Sequence, residues 1–487
     1  LPCFFDEQAI LKSRKLCQAC RFEFYFRSGL FILIPNSIFG DTNNFHQLNT
    51  MKKKDTTWAK TRKFLNDAHL WIGLAIGLVV LVVCFCGTIY VFNDEIREAA
   101  TPELYQVEQK AGQHVLSAEQ LMSVVETASK GKVVSVRVPA DAGRSWQFGV
   151  RKKEGDKKKG GHKRADKPGG KEKGKDKEKG KTKPVVYYVN PYTAQILGNS
   201  KEVKSVTVNF MTSIFSLHRW LLLDKIEKPI FGELDNRKLG GYITGVSAIL
   251  FTIGVLSGIA LWVPRKIKSW KQGFKIKTSG SWKRTNHDLH NTLGFYACIF
   301  LFCMGSTGPQ WGFDWYRTGL RKMLGTYAQE KEEKEKKGPQ SVVPKDEIEK
   351  PLIADYLHAA SQVLNYPGDY LLNLPADSAA ALSISKTKIG FFAPAAADRI
   401  VMDQYTARVI KTERFADLPF NQRVSGSIKA IHTGELYGMF TKIIYFFACL
   451  IATSLPVTGT LIWVNKMKKS KSKKAVPAPT RLKPAVI

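Results

Sequence analysis

The chain has 487 residues, 74 Lys plus Arg against 42 Asp plus Glu, a formal net charge of +32 and a mean hydropathy of -0.18. The length allows two or three domains, and the average hydropathy hides four very apolar stretches diluted by lysine-rich ones. The positive charge lies in one low-complexity segment and beside the apolar stretches, with no nucleic-acid-binding motif among it, so nucleic acid is excluded as a partner.

Residues 1–50 begin with Leu and match nothing later, whereas Met51-Lys52-Lys53-Lys54 reads as a natural bacterial start. Residues 1–50 are therefore expected to be a gene-model extension. Phe31–Ile34 is too short to cross a bilayer. Cys17 and Cys20 form a C-x-x-C with no second pair to complete a zinc site. After a short N-terminal segment, 51–69, four stretches are long and apolar enough to span: 70–92, 240–263, 291–311 and 437–464. Pro456 interrupts the last and predicts a kink. Lysines and arginines crowd the flank before the first span, the loop 264–290 and the tail 465–487. Basic residues in short loops stay cytoplasmic. The expected topology is thus four spans of a bacterial inner membrane with both termini in the cytoplasm. Segments 93–239 and 312–436 then lie outside.

Both outside segments read as α+β domains. The first shows β-branched and aromatic runs around 133–139, 146–150 and 185–189, and helical periodicity over 116–129. The 353–363 region resembles that helix in the second copy. Residues 151–183, almost wholly Lys, Gly, Glu and Asp, cannot bury a core and are expected to be disordered. Residues 210–223 read as an amphipathic helix carrying His218. Five of the eight cysteines (Cys84, Cys86, Cys298, Cys303, Cys449) fall in the spans as small apolar fillers.

Self-similarity in fixed order is the most specific pattern. His69-Leu-Trp-Ile-Gly73 opens the first span and His290-Asn-Thr-Leu-Gly294 the third. Tyr192-Thr193-Ala194 matches Tyr405-Thr406-Ala407, each placed as a hairpin turn. His218 and His432 follow these at nearly equal distances. Ser257-Gly258 to Trp262-Val263 ends the second span as Thr458-Gly459 to Trp463-Val464 ends the fourth. The fold class is therefore a membrane α-helical bundle of four spans from a duplicated unit, with two extracytoplasmic α+β domains.

Five of the nine histidines fall at span ends. The topology sorts His69, His287 and His290 to the inner side and His218 and His432 to the outer. Ionisable groups in or beside hydrocarbon are expensive and mark function. Two facing imidazoles can hold a haem iron from both sides. The inner pair would be His69 with His290, with His287 one turn earlier as alternate; the outer pair would be His218 with His432. Haem propionates need cations: Arg62, Lys63 and Arg284 are candidates inside, Arg219 and Lys429 outside. Two other readings stay open. The histidines could be interfacial groups bonded to headgroups or neighbouring helices. Zinc would need carboxylate or cysteine partners, and only Glu435 lies near His432 in sequence. The glycines after His69 and His290 suit close helix contact or room for a porphyrin. Trp71 and Trp220 read as interfacial belt residues.

The order H-x-W-x-G, L-H-R-W, L-W-x-P-R, D-L-H-x-x-x-G, I-H-T-G and a final span ending in Trp resembles the PepSY-associated transmembrane proteins, over residues 58–470. That resemblance implies PepSY-like outer domains. It also implies similarity to inner-membrane ferric-siderophore reductases with two b-type haems, one held by His69 and His290 and one by His218 and His432. Electrons would run outward to ferric iron in the periplasm. Some relatives carry a fused flavin reductase domain that 465–487 is too short to be, so quinol or a cytoplasmic-side flavoprotein is the expected donor. Phe210, Phe215, Trp311 and Tyr437 are candidates for the acceptor's docking surface. The rival reading is a haem-free membrane module whose outer domains bind or regulate a periplasmic or envelope protein. A permease is disfavoured by the lack of a broken-helix pair.

Overall fold

The structure is a computed structural model that describes residues 22–27, 30–35, 57–152, 183–203, 205–264, 270–328, 338–346 and 348–474. Cys17, Cys20, most of the lysine-rich insert and residues 475–487 lie outside the described residues. Two compact units divide the chain, 1–64 and 65–487. The first contains an antiparallel hairpin of β1 (Phe22–Arg27) and β2 (Leu30–Pro35).

Four helices are long and apolar enough to cross a membrane. They are α1 (Thr57–Tyr90), α4 (Asn236–Trp262), α5 (Trp282–Thr307, extended to Trp311 by a 3-10 turn) and α8 (Gly438–Lys474). Three of them start at or before the residue where hydropathy rises. Hydropathy marks only the hydrocarbon-facing part, and the polar turns before it are helical too; Asp235, for instance, caps α4 by accepting from Lys238 N–H. Helix α5 packs on both α4 and α8. Small residues let the spans approach, as where Gly77 of α1 meets Pro456 of α8. Helix α8 continues through Pro456.

The remaining elements repeat one order. In the first half come α2 (Ala118–Ser129), strands β3 (Gly131–Val138), β4 (Trp146–Lys152), β5 (Val185–Val189) and β6 (Ile196–Asn199), then α3 (Val206–Trp220). In the second come α6 (Ile353–Val363), β7 (Gly368–Asn373), β8 (Leu382–Lys388), β9 (Ala397–Met402) and β10 (Val409–Glu413), then the short α7 (Ile428–Thr433). Ser117 and Gln120 close a capping box at the start of α2.

The strands form one sheet rather than two separate ones. Its order is β10-β9-β8-β7-β3-β4-β5-β6, antiparallel throughout. The seam joins the first strand of each half, with Ser135 opposite Asn373 and Val138 opposite Tyr370. Each four-stranded meander would leave that strand as a bare edge, and pairing the two edges removes the liability. Helices α2 and α6 pack on the sheet and bury Leu121, Val125, Phe148, Tyr356, Ile384 and Ile400.

The Tyr-Thr-Ala segments are matching turns between β5 and β6 and between β9 and β10. Ala194 and Ala407 both take positive φ, 57° and 53°. The side chain of Asn190 accepts from Tyr192 N–H, as Asp403 does from Tyr405 N–H. Burial would raise the Asp403 carboxyl, but hydrogen bonds from the Tyr405, Val342 and Thr406 backbone and the Thr406 hydroxyl outweigh it and hold it below the usual range.

Candidate functional site

Each span runs opposite to the one before it, so the bundle has two distinct ends. The sheet end holds the C-termini of α1 and α5 and the N-termini of α4 and α8. The loop end holds residues 270–281, pinned where Trp262 Nε1 and Thr292 Oγ1 both donate to the Gly273 carbonyl.

At the loop end, His69 of α1 and His290 of α5 face each other with ring centroids 6.3 Å apart. His69 Nδ1 donates to the Gly254 carbonyl at 3.0 Å and lies 3.0 Å from Ser257 Oγ. His290 Nδ1 lies 2.9 Å from Thr458 Oγ1 and also faces the Leu455 carbonyl. A carbonyl can only accept, so the proton sits on Nδ1 and leaves Nε2 as the free lone pair. The partner helices place a glycine under each ring. A Cβ on Gly258 would lie 3.3 Å from His69 Cε1, and one on Gly459 would lie 3.2 Å from His290 Cε1.

The sheet end repeats the device with other elements. His218, from α3, and His432, from α7, have centroids 6.2 Å apart. His218 Nδ1 donates to the Val83 carbonyl at 2.9 Å. His432 Nδ1 donates to the Met304 carbonyl at 3.1 Å and lies 3.0 Å from Thr307 Oγ1. The glycines are Gly87 and Gly308, where an added Cβ would lie 3.6 and 3.4 Å from the respective Cε1 atoms. The Trp311 ring stands 4.8 Å from His432. The stretch of α1 from His69 to Val83 spans about 21 Å at roughly 1.5 Å per residue, which sets the distance between the pairs.

The registers agree. The same number of residues separates His69 from Val83 and Gly87 as separates His290 from Met304 and Gly308. The acceptors of His69, Gly254 and Ser257, are spaced as Leu455 and Thr458 are for His290. The sequence showed Ser257-Gly258 and Thr458-Gly459 as the repeated span ending, without their role. It also carried Gly87 and Gly308, whose equal distance from the two H-x-x-x-G histidines was the available clue. The glycines directly after the histidines are not the ones that meet the rings. A Cβ on Gly73 would enter open space, and one on Gly294 would meet Leu455.

Other candidates fall as follows. The His287 side chain is 52% exposed, hydrogen-bonded by Asn291 and turned toward Asp288 rather than His69. Arg284 is paired with the buried Asp288 at 2.9 Å. Arg219 stacks over Phe215 and Trp220. Lys429 is exposed on α7, and Arg62 lies on the opening turns of α1, within the first unit. Trp71 is 64% exposed, but Trp220 is buried against Gly240 and covered by Arg237, so it is no belt residue. Phe210, Trp311 and Tyr437 are exposed, whereas Phe215 is half-buried and packs against Tyr90 and Trp220. Glu435 faces Lys442 rather than His432.

Two imidazoles bound from opposite sides of one metal at about 2.0–2.1 Å would put their centroids roughly 6 Å apart. Both pairs have that spacing. Among the described residues no three His, Cys, Asp or Glu gather to hold a bare metal ion. A tetrahedral zinc site would need them; a macrocycle that brings its own equatorial donors would not.

Four spanning helices topped by an antiparallel sheet define a multi-pass membrane protein with an α+β domain. The chain belongs to the family described as the PepSY-associated TM region, which matches residues 67–466. No curated protein matches it.

Proposed function

We propose that the protein carries one b-type haem at each end of its four-helix bundle and passes electrons across a bacterial inner membrane to a ferric siderophore or another periplasmic acceptor. The observation that carries this reading is the spacing of the two imidazole pairs, 6.3 and 6.2 Å between centroids, with every Nδ1 anchored. Bound there, haem would supply one-electron ferric/ferrous chemistry.

His69 and His290 serve the cytoplasmic side, next to the basic loop, and His218 and His432 the periplasmic side, under the sheet. Their Nδ1 partners fix the tautomer and the ring plane, which keeps each Nε2 aimed at the gap. The pairs lie about 21 Å apart along α1 at 1.5 Å per residue, inside a hydrocarbon core of about 30 Å. Together they bridge most of the barrier. Arg219 and Lys429 sit on the two short helices that carry the outer ligands and are the cations best placed for propionates there. At the loop end Arg284 is engaged with Asp288. The donor is quinol or a separate flavoprotein at the loop end. The matched halves support a duplicated unit, one histidine of each pair coming from each copy.

The full chain purified from haem-replete cells should be red, with a reduced-minus-oxidised spectrum of six-coordinate b haem and about two haems per chain. Colourless protein would overturn the reading in favour of a haem-free module whose sheet binds an envelope protein.

A further inference from the structure

The connection from β8 to β9, residues 389–396, is attached to the membrane helix that follows it much later in the chain. Phe440 N–H donates to the Phe391 carbonyl at 3.2 Å, and Ala395 N–H donates to the Leu436 carbonyl at 3.3 Å. Gly438, the first residue of α8, has φ 57°, and a Cβ there would lie 3.0–3.2 Å from the carbonyl oxygens of Gly390, Phe391 and Ala393. Only glycine lets the loop sit this close to the start of the span.

Three apolar side chains of this loop point away from the protein. Ile389, Phe391 and Phe392 are 49%, 50% and 63% exposed. The rings of Phe391, Phe392 and Phe440 form one patch, with centroids 4.9, 5.0 and 6.4 Å apart. A bare aromatic patch this size on a folded domain marks an interaction surface.

What covers it follows from its position. The patch continues along α8 through Ile443, Phe447 and Leu450, all exposed and on one helical face. That face belongs to a helix long and apolar enough to span, and lipid is what such a face meets. The loop therefore lies level with the first turn of the span, where aromatic rings concentrate at the membrane–water boundary.

We infer that residues 389–396 form a membrane-seated wedge, with the Phe391 and Phe392 rings entering the phospholipid interface of the leaflet under the sheet. The second half of the sheet is then held at the bilayer by the wedge as well as by the chain entering α8, and cannot swing away from the sheet-end histidines. This rests on the spanning helices and not on the haem reading.

The test uses the full chain in phosphatidylcholine nanodiscs with a photoreactive benzoyl-phenylalanine at position 392, 447 or 409. Position 447 is the lipid-facing control. Position 409 lies at the far end of the β9–β10 hairpin, about 20 Å along the strands at roughly 3.4 Å per residue. Mass spectrometry after irradiation should find phospholipid adducts at 392 and 447 and none at 409, and Gly438→Val should abolish the adduct at 392 alone. A lipid adduct at 447 without one at 392 overturns the inference. So does an adduct at 392 that proves to be another protein or a second copy of the chain.

Discussion

The two ends of the bundle hold their histidines by one device built from different parts. At the loop end the ligand candidates sit on the long spans α1 and α5 and lean on α4 and α8. At the sheet end they sit on short helices outside the spans and lean back on α1 and α5. The same two spans thus carry one pair and supply the anchors of the other. The difference teaches where rigidity comes from. The loop-end pair moves only if a span moves, whereas the sheet-end pair depends on how α3 and α7 are seated. The anchors differ too. His69, His290 and His432 each have a hydroxyl beside a carbonyl, while among the described residues the Nδ1 of His218 meets the Val83 carbonyl without a hydroxyl beside it.

Removing an imidazole should break the symmetry most. His69→Ala or His290→Ala should each cost about half of the bound haem and spare the sheet end, because six-coordinate ligation needs both rings. His218→Ala or His432→Ala should do the reverse. Haem counts per chain, with low-temperature spectra to tell the ends apart, check this. Four single variants that all retain full haem would refute the ligand assignment.

Filling the glycine pockets should separate the ends by degree. At Gly459 an added Cβ would lie 3.2 Å from His290 Cε1, closer than ordinary contact, so the ring must give way. At Gly87 the distance is 3.6 Å, which is ordinary contact. Gly459→Ala should therefore shift the loop-end haem spectrum and midpoint potential, while Gly87→Ala leaves the sheet end as it was. Gly87→Leu should displace His218, at an overpacking cost of about 1–3 kcal/mol in stability. Redox titration of the three glycine variants gives the comparison.

Removing a hydroxyl anchor should have a smaller effect, since a carbonyl remains behind it. Thr458→Val takes one partner from His290 and Thr307→Val one from His432. A hydrogen bond of this kind is worth about 0.5–1.5 kcal/mol, up to about tenfold in haem retention at the affected end. Apo-myoglobin capture rates would measure it, with the untouched end of each variant as internal reference. Among the described residues no hydroxyl bonds His218 Nδ1, so its retention should be insensitive to any single change of this type.

Much of this arrangement was legible in the sequence, and the parts that were not have physical reasons. Four spans followed from apolar length alone, because a bilayer imposes it. The pairing of His69 with His290 followed from the repeat. The single eight-stranded sheet did not, because β3 and β7 read as ordinary half-buried strands and nothing local says which edges will meet. Arg284 also misled. Its charge was visible but its partner was not, since an i,i+4 ion pair with Asp288 becomes significant only once Asp288 is known to be buried. Trp220 looked interfacial because position along the chain does not reveal that Arg237 and the α4 backbone cover it.

The smallest expected effect is the most discriminating one for the loop end. His287 lies one turn before His290 and was the alternate ligand by sequence. Its ring is half-exposed, bonded to Asn291 and beside Asp288, so replacing it removes nothing that faces His69. His287→Ala should leave haem content and both spectra unchanged, whereas His290→Ala empties the loop end. If the two variants behaved alike, the ring at 287 would have to turn inward on loading, and the ligand at this end would be chosen by the metal rather than by the Thr458 anchor. The double variant Thr458→Val, His287→Ala decides between these. A fixed His290 predicts the loss seen with Thr458→Val alone, and an exchanging pair predicts a greater one.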